Sequence, residues 1–210
     1  MQNIRLEAVR PAEIEQRSFE ILTREIGDRE LDPVQAPVIK RVIHASADFD
    51  YLDTLCFSEH AVERMQQAIR EGASIVTDTK MAQAGINQRA LSNYGGEVFC
   101  FMSDPDVAAQ AKERGCTRAV ASMDKASALD RELIFAVGNA PTALVRLYEK
   151  IVEGSLRPRG IIGVPVGFVN VVEAKELILQ CPVPYIVARG RKGGSNIAAA
   201  ICNALLYNMA

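Results

Sequence analysis

Tryptophan is absent from this 210-residue chain and histidine occurs only at positions 44 and 60, so chemistry built on clustered imidazoles has little to stand on. The cysteines, Cys56, Cys100, Cys116, Cys181 and Cys202, are odd in number and never spaced C-x-x-C. That argues against a zinc knot or a disulfide framework, and reads as buried thiols in a reducing cytoplasm. No run approaches the ~18 apolar residues of a membrane span. The opening stretch MQNIRLEAVRPAEIEQ has no apolar signal core, so neither membrane insertion nor export is expected. An excess of positive charge is missing too: 24 Lys and Arg stand against 26 Asp and Glu. A broad nucleic-acid-binding face is therefore not expected, although arginines gathered locally can still hold an anion. With no Ser-His-Asp elbow, P-loop or G-x-G-x-x-G turn, most hydrolase, phosphoryl-transfer and redox templates fall away. A reaction that needs one proton carrier and a shaped pocket survives.

What is present is an ordinary globular composition, 49% hydrophobic and 24% charged, enough for one domain with a full core. No repeat or linker divides residues 1–210. Residues 1–72 read as a helical extension. Pro11 opens a helix whose stripe of Ile14, Phe19, Leu22 and Ile26 ends near Gly27. Asp32-Pro33 opens a second, carrying Val34, Val38 and Val42, and a third runs from Ser58 to Gly72. From residue 73 the pattern changes to short β-branched runs alternating with helices: ASIVTD (73–78), EVFCFM (97–102), ELIFAVG (132–138), GIIGVPVG (160–167) and PYIVARG (184–190). The expected fold is α/β, a three-layer α/β/α core over 73–210 with a five-stranded, mainly parallel sheet. The Gly-, Pro- and Asn-rich segments that follow the strands should converge on one pocket, because an open parallel sheet binds ligands at the carboxyl ends of its strands.

Within this frame His44, in RVIH, lies three residues after Arg41, so a helix places both on one face. An imidazole, with an ordinary pKa near 6.5, can donate a proton at neutral pH. On pattern alone, a histidine packed in a helix junction explains His44 at least as well. His60 with Glu63 reads as a surface pair, with no third ligand for a metal. RGRKGGSN, with Arg189, Arg191, Gly194 and Ser195, runs from a strand end into a helix start that can receive an anion; a plain tight turn fits equally. Asn139 and Thr142 sit in a proline-opened helix start that can be capping alone. Pro165 and Phe168, in PVGF, offer a bend and an exposed aromatic, which ordinary loop packing also explains.

Read together, these segments resemble the precorrin-8X methylmutase family, including its cobalt-precorrin-8 branch. The resemblance rests on RSF (17–19), RVIH (41–44), TDTKMAQAGI (77–86), TRA (117–119), AVGNAPTAL (136–144), IIGVPVGFVNVVEAKE (161–176) and RGRKGGSNIAAAICNAL (189–205), almost end to end. It implies an isomerase of cobalamin biosynthesis that moves a methyl group from carbon 11 to carbon 12 of a corrinoid macrocycle. It implies a cytoplasmic homodimer with the pocket at the subunit interface, and no separate cofactor or metal. His44 falls on the family's active-site histidine, and Ser18 and Arg41 on substrate contacts. Arg17, Asp78, Met81, Arg118, Asn139, Thr142, Pro165, Phe168, Arg189, Arg191, Gly194 and Ser195 become further candidate substrate-binding residues, the arginines as partners for ring carboxylates. A carrier that holds the macrocycle unchanged would share this pocket.

Overall fold

The computed structural model describes residues 6–209, so the first five residues of the stretch read as lacking a signal core, and the last residue of the expected 1–210 unit, lie outside the described residues. In chain order the helices are α1 (Ile14–Ile26), α2 (Ala36–Ser46), α3 (Tyr51–Thr54), α4 (Ala61–Arg70), α5 (Lys80–Gly85), α6 (Gln88–Ser92), α7 (Pro105–Glu113), α8 (Arg118–Ser127), α9 (Pro141–Val152), α10 (Val171–Ile178) and α11 (Ser195–Tyr207). The strands are β1 (Leu55–Phe57), β2 (Ser74–Thr77), β3 (Val98–Phe99), β4 (Leu133–Val137), β5 (Gly160–Gly163) and β6 (Tyr185–Ala188). They form one six-stranded sheet in the order β1-β6-β5-β4-β2-β3.

The five expected strands all form, parallel to one another. A sixth, β1, pairs antiparallel with β6, Cys56 opposite Val187. It lies inside the stretch expected to be a helical extension, so residue 72 does not separate helices from sheet. Three residues are too few to show the period-two alternation by which a strand is recognised. The second helix also starts later than Asp32-Pro33 implies. The Asp32 carboxylate accepts the N–H groups of Val34 and Gln35 at 2.8 and 3.1 Å, closing a turn first. Val34 is left exposed, and the buried stripe of α2 is Val38, Ile39, Val42 and Ile43.

Successive strand side chains point to opposite faces, and the core divides accordingly. Ile75, Ile134, Ala136, Ile162 and Ile186 face α2, α4 and α11, whereas Val76, Phe135, Val137, Ile161 and Val187 face α8, α9 and α10. Ala198, Ala199, Ala200 and Ala204 line α11, small enough for α2 and α5 to approach it closely. Helix α1 lies outermost, against α2, and buries only Leu22; Gly27 ends it in a left-handed conformation, φ 67°. All five cysteines are free, three of them buried. Among the described residues no helix is long and apolar enough to cross a membrane, and no three of His, Cys, Asp or Glu gather as a metal site.

Candidate active site

The chain passes from β2 outward to β3 and then back across β2 to β4, so the connections diverge between β2 and β4, where an open α/β sheet leaves a crevice. Asp78, the residue after β2, fills its floor. Its Oδ1 accepts the N–H of Gly138 at 2.8 Å, and its Oδ2 accepts those of Asn139 and Ala140 at 2.8 and 2.6 Å. Burial pushes this carboxyl above the ordinary carboxylate range despite the three donors. Expected to touch a ligand, Asp78 is instead fully buried and holds the GNA turn in place.

The neighbouring turns are locked to the same floor. Thr79 caps α5 and places its Oγ1 2.7 Å from Ser195 Oγ at the start of α11. Gly138 permits that approach, since a Cβ there would lie 2.7 Å from Ser195 Cα. Gly194 N–H donates to the Val164 carbonyl at 2.9 Å, and Gly167 N–H to that of Arg191 at 3.1 Å. Thr142 Oγ1 stands 3.0 Å from Thr117 Oγ1, which caps α8 just before Arg118. Asp78, Asn139, Thr142, Pro165, Gly194 and Ser195 are thus brought together at one edge, with Arg118 beside Thr142. Pro165 and Gly194, like Asp78, are buried and give shape rather than contact surface; Asn139, Thr142 and Arg118 are exposed and Ser195 half-buried. Met81 and Phe168 stand 70% and 83% exposed at this rim, with the Arg191 guanidinium 5.7 Å from the Phe168 ring centre.

His44 belongs to a second cluster, between α1 and α2. Its ring is exposed and stacks on Phe19, centroids 4.9 Å apart and planes 12° from parallel. A stacked partner restricts the imidazole's rotation while leaving its nitrogens free. Arg41 lies over the same Phe19, 4.9 Å from its centroid, and 5.5 Å from Tyr207. Its guanidinium binds Glu15 at 2.6 Å, which holds the Glu15 carboxyl below its ordinary range, with His44 adding a lesser pull. His44 and Ser18 line one hollow of about 190 Å³ with Ile21, Leu22, Glu25, Ile43, Ala47 and Phe49. Arg17 does not join them. One residue along a helix turns the side chain by about 100°, and Arg17 pairs on the other side of α1 with Glu7 at 2.7 Å and Glu20 at 3.4 Å.

Lys192, in the glycine-rich turn, ties the two clusters together. Its Nζ reaches Asp48 at 2.7 Å and Asp50 at 2.6 Å, in the segment that follows α2. Asp48 is four residues from His44, at most about 14 Å of extended chain. Arg189 is held by Glu176 through two bonds of 3.0 Å. Of the candidate arginines only Arg118 and Arg191 have no carboxylate partner among the described residues. A larger hollow of about 750 Å³, lined by Arg64, Glu132, Arg157, Arg159 and Pro184, lies at the amino ends of β4 to β6. No histidine lines it, and it is at the edge where open parallel sheets do not bind ligands.

Sequence reasoning passed over Phe19 as a platform, Glu15, Thr79, the Lys192 clasp and Lys175. The Lys175 signal was available: Val171, Ala174, Lys175 and Ile178 fall at i, i+3, i+4 and i+7, the buried stripe of α10. The carboxylates that pair Arg17, Arg41, Arg189 and Lys192 are distant in sequence or on neighbouring turns, and pattern alone does not show them.

Comparison with known proteins bears on this geometry. A family model of precorrin-8X methylmutases matches residues 13–208. The cobalt-precorrin-8 methylmutase of Salmonella typhimurium is 47% identical, covering 95% of this chain and 96% of its own. A precorrin-8X methylmutase from Sinorhizobium is 36% identical, covering 91% and 92%. The crystal structure of precorrin-8X methylmutase from Thermus thermophilus superposes with a TM-score of 0.85 at 42% identity, covering 94% of this chain and 97% of that one.

Proposed function

The chain belongs to the precorrin-8X methylmutase family, and from that premise we propose that His44 is the proton donor of the methyl shift. The enzyme is an isomerase of cobalamin biosynthesis: it moves a methyl group from carbon 11 to carbon 12 of precorrin-8X or cobalt-precorrin-8, giving hydrogenobyrinate or cobyrinate. The bond from carbon 11 to the methyl breaks as the bond to carbon 12 forms. A proton placed on a ring nitrogen lowers the barrier and leaves again, so the composition of the substrate is unchanged. One general acid suffices, worth about 10² to 10⁴-fold, and holding the ring in a reactive geometry supplies the rest.

The observation that carries this reading is the exposed, Phe19-stacked His44 sharing a hollow with Ser18. Ser18 donates a hydrogen bond to the ring periphery. Arg118 and Arg191 take its carboxylates directly, while Arg41 and Arg189 exchange their internal partners for them. Asn139, Thr142 and Ser195 contribute polar contacts, and Met81 and Phe168 lie against the macrocycle. The active unit is a cytoplasmic homodimer whose pocket spans the subunit interface. Two features support the interface pocket: a hollow of about 190 Å³ is below the ~300–1,000 Å³ of ordinary ligand sites, and large apolar side chains stand exposed on both clusters, Ile14 and Ile21 on α1 and Val166, Phe168 and Val169 after β5. The substrate is the cobalt-containing form, a choice supported by the name of the Salmonella relative.

Mixing the protein with cobalt-precorrin-8, and separately with precorrin-8X, tests the reading. A methylmutase shifts the absorption spectrum as the ring conjugation changes, faster with the cobalt form. A carrier binds and returns the substrate unchanged, and light scattering at monomer mass would remove the interface pocket.

A further inference from the structure

Resting on the corrinoid reading of the carboxyl-edge crevice, we propose that Lys175 is a positioning residue: a buried ammonium that orients the glycine-rich turn toward a substrate carboxylate and lends it a positive charge that no protein carboxylate cancels.

Lys175 is fully buried in the apolar stripe of α10, where lysine is almost never found unless paired. It has no carboxylate partner among the described residues; its Nζ donates to the carbonyls of Gly190 and Lys192, each at 2.8 Å. In a trans peptide the N–H points opposite the C=O. Turning these two carbonyls inward therefore turns the N–H groups of Arg191 and Gly193 away from Lys175. Neither N–H has an acceptor among the described residues. Gly193 has to be glycine, because a Cβ there would overlap the Val164 carbonyl. The turn thus offers free donors at the start of α11, an arrangement that receives anions.

Of the other cations near the crevice, Arg41 is neutralised by Glu15, Arg189 by Glu176, and Lys192 by Asp48 and Asp50, which leaves the exposed Arg118 and Arg191 beside the buried Lys175. Around Lys175 the charged groups are spoken for or turned out. On α10 Glu173 is exposed and Glu176 holds Arg189; on the turn Arg191 lies over Phe168. On α9, packed against α10, Arg146 binds Asp124 and Glu149, and Lys150 binds Asp124. The strands alongside bring only Tyr185 as a titratable side chain. Burial alone lowers the ammonium from 10.5 to about 8.

Two opposite pH trends follow. Above pH 8 the folded protein loses this proton while the unfolded chain keeps it to about 10.5, so the stability contributed by this group rises with pH in that window. Carboxylate binding weakens over the same window, because the positive charge is lost.

Isothermal titration with cobyrinate, together with kcat and KM for cobalt-precorrin-8, is measured from pH 6.5 to 9.5 on wild type, Lys175→Met and Lys175→Arg, with thermal unfolding alongside. In wild type Kd should weaken about tenfold across pH 8 without a matching fall in Tm. Lys175→Met should show the weak Kd at every pH and no step, its loss falling on KM more than on kcat. Lys175→Arg should restore affinity at pH 7 without the step, since guanidinium stays charged. A Met variant with wild-type Kd and the same step overturns the proposal, and so does one whose affinity falls only as it unfolds. Should the Met variant not fold, a wild-type Kd flat across pH 8 overturns it equally. Cobyrinate binding reads Lys175 even if wild type shows no methyl shift, an outcome that strikes the functional reading alone.

Discussion

Replacing Asp78 with alanine removes a side chain that joins the β2 end to the β4 end, and the cost can be worked from its surroundings. Three backbone N–H groups lose a charged acceptor at 2.6–2.8 Å. That of Gly138 is buried and has no water to replace it, a loss of about 1–3 kcal/mol. Those of Asn139 and Ala140 are part-buried and recover some solvation, so about 0.5–1 kcal/mol each is reasonable. Against this stands the relief of a carboxylate that burial holds above its ordinary pKa. The net expectation is about 3 kcal/mol, close to the lower values for breaking a buried charged network. For a chain of this size that lowers Tm by about 6–12 °C, read by calorimetry at fixed protein concentration. The sign of the pH dependence is set by the raised pKa. Folded Asp78 keeps its proton above the ordinary 3.8, so the advantage of wild type over the alanine variant is largest at low pH and narrows as pH rises through that window. A variant within about 0.5 kcal/mol of wild type, or a gap that widens with pH, would refute this account of the crevice floor.

Phe19→Ala removes the ring under both His44 and Arg41. About 1 kcal/mol of stability should go with the stack, and kcat should fall about tenfold because the imidazole is no longer held in one orientation; unchanged kcat would mean that the stack does not orient the acid. Arg118→Ala and Arg191→Ala, the candidates without a carboxylate partner, should each raise KM about tenfold with little change in Tm. Arg17→Ala, whose side chain faces the other side of α1, should leave KM as it is; steady-state kinetics on the three variants separates the two groups.

How much of this was legible beforehand depended on length and on chain separation. The runs of β2 to β6 were long enough, with their punctuating Gly and Pro residues, to announce a parallel sheet and a common crevice. Strand β1 was not, because Leu55–Phe57 follows α3 directly, with no β-branched residue and no flanking Gly or Pro, and owes its conformation to pairing with β6. The site divides the same way. His44 and Arg41 lie three apart on one helix, a local relation that spacing reveals. That Glu15 sits on Arg41, that Asp78 holds the residues 138–140, and that Lys192 reaches Asp48 are pairings across 26 to 144 residues of chain, created by the fold alone. Asp78 and Arg17 became candidates through the resemblance, and the fold engages both internally, Asp78 with residues 138–140 and Arg17 with Glu7 and Glu20.

The central claim, that one imidazole drives the methyl shift, is tested most directly by a single-turnover experiment with His44→Ala and excess enzyme over cobalt-precorrin-8. The account predicts that the variant folds, binds the corrinoid within a few-fold of wild type, and converts it at least ~10²-fold more slowly. Conversion at the wild-type rate with the imidazole gone would contradict it.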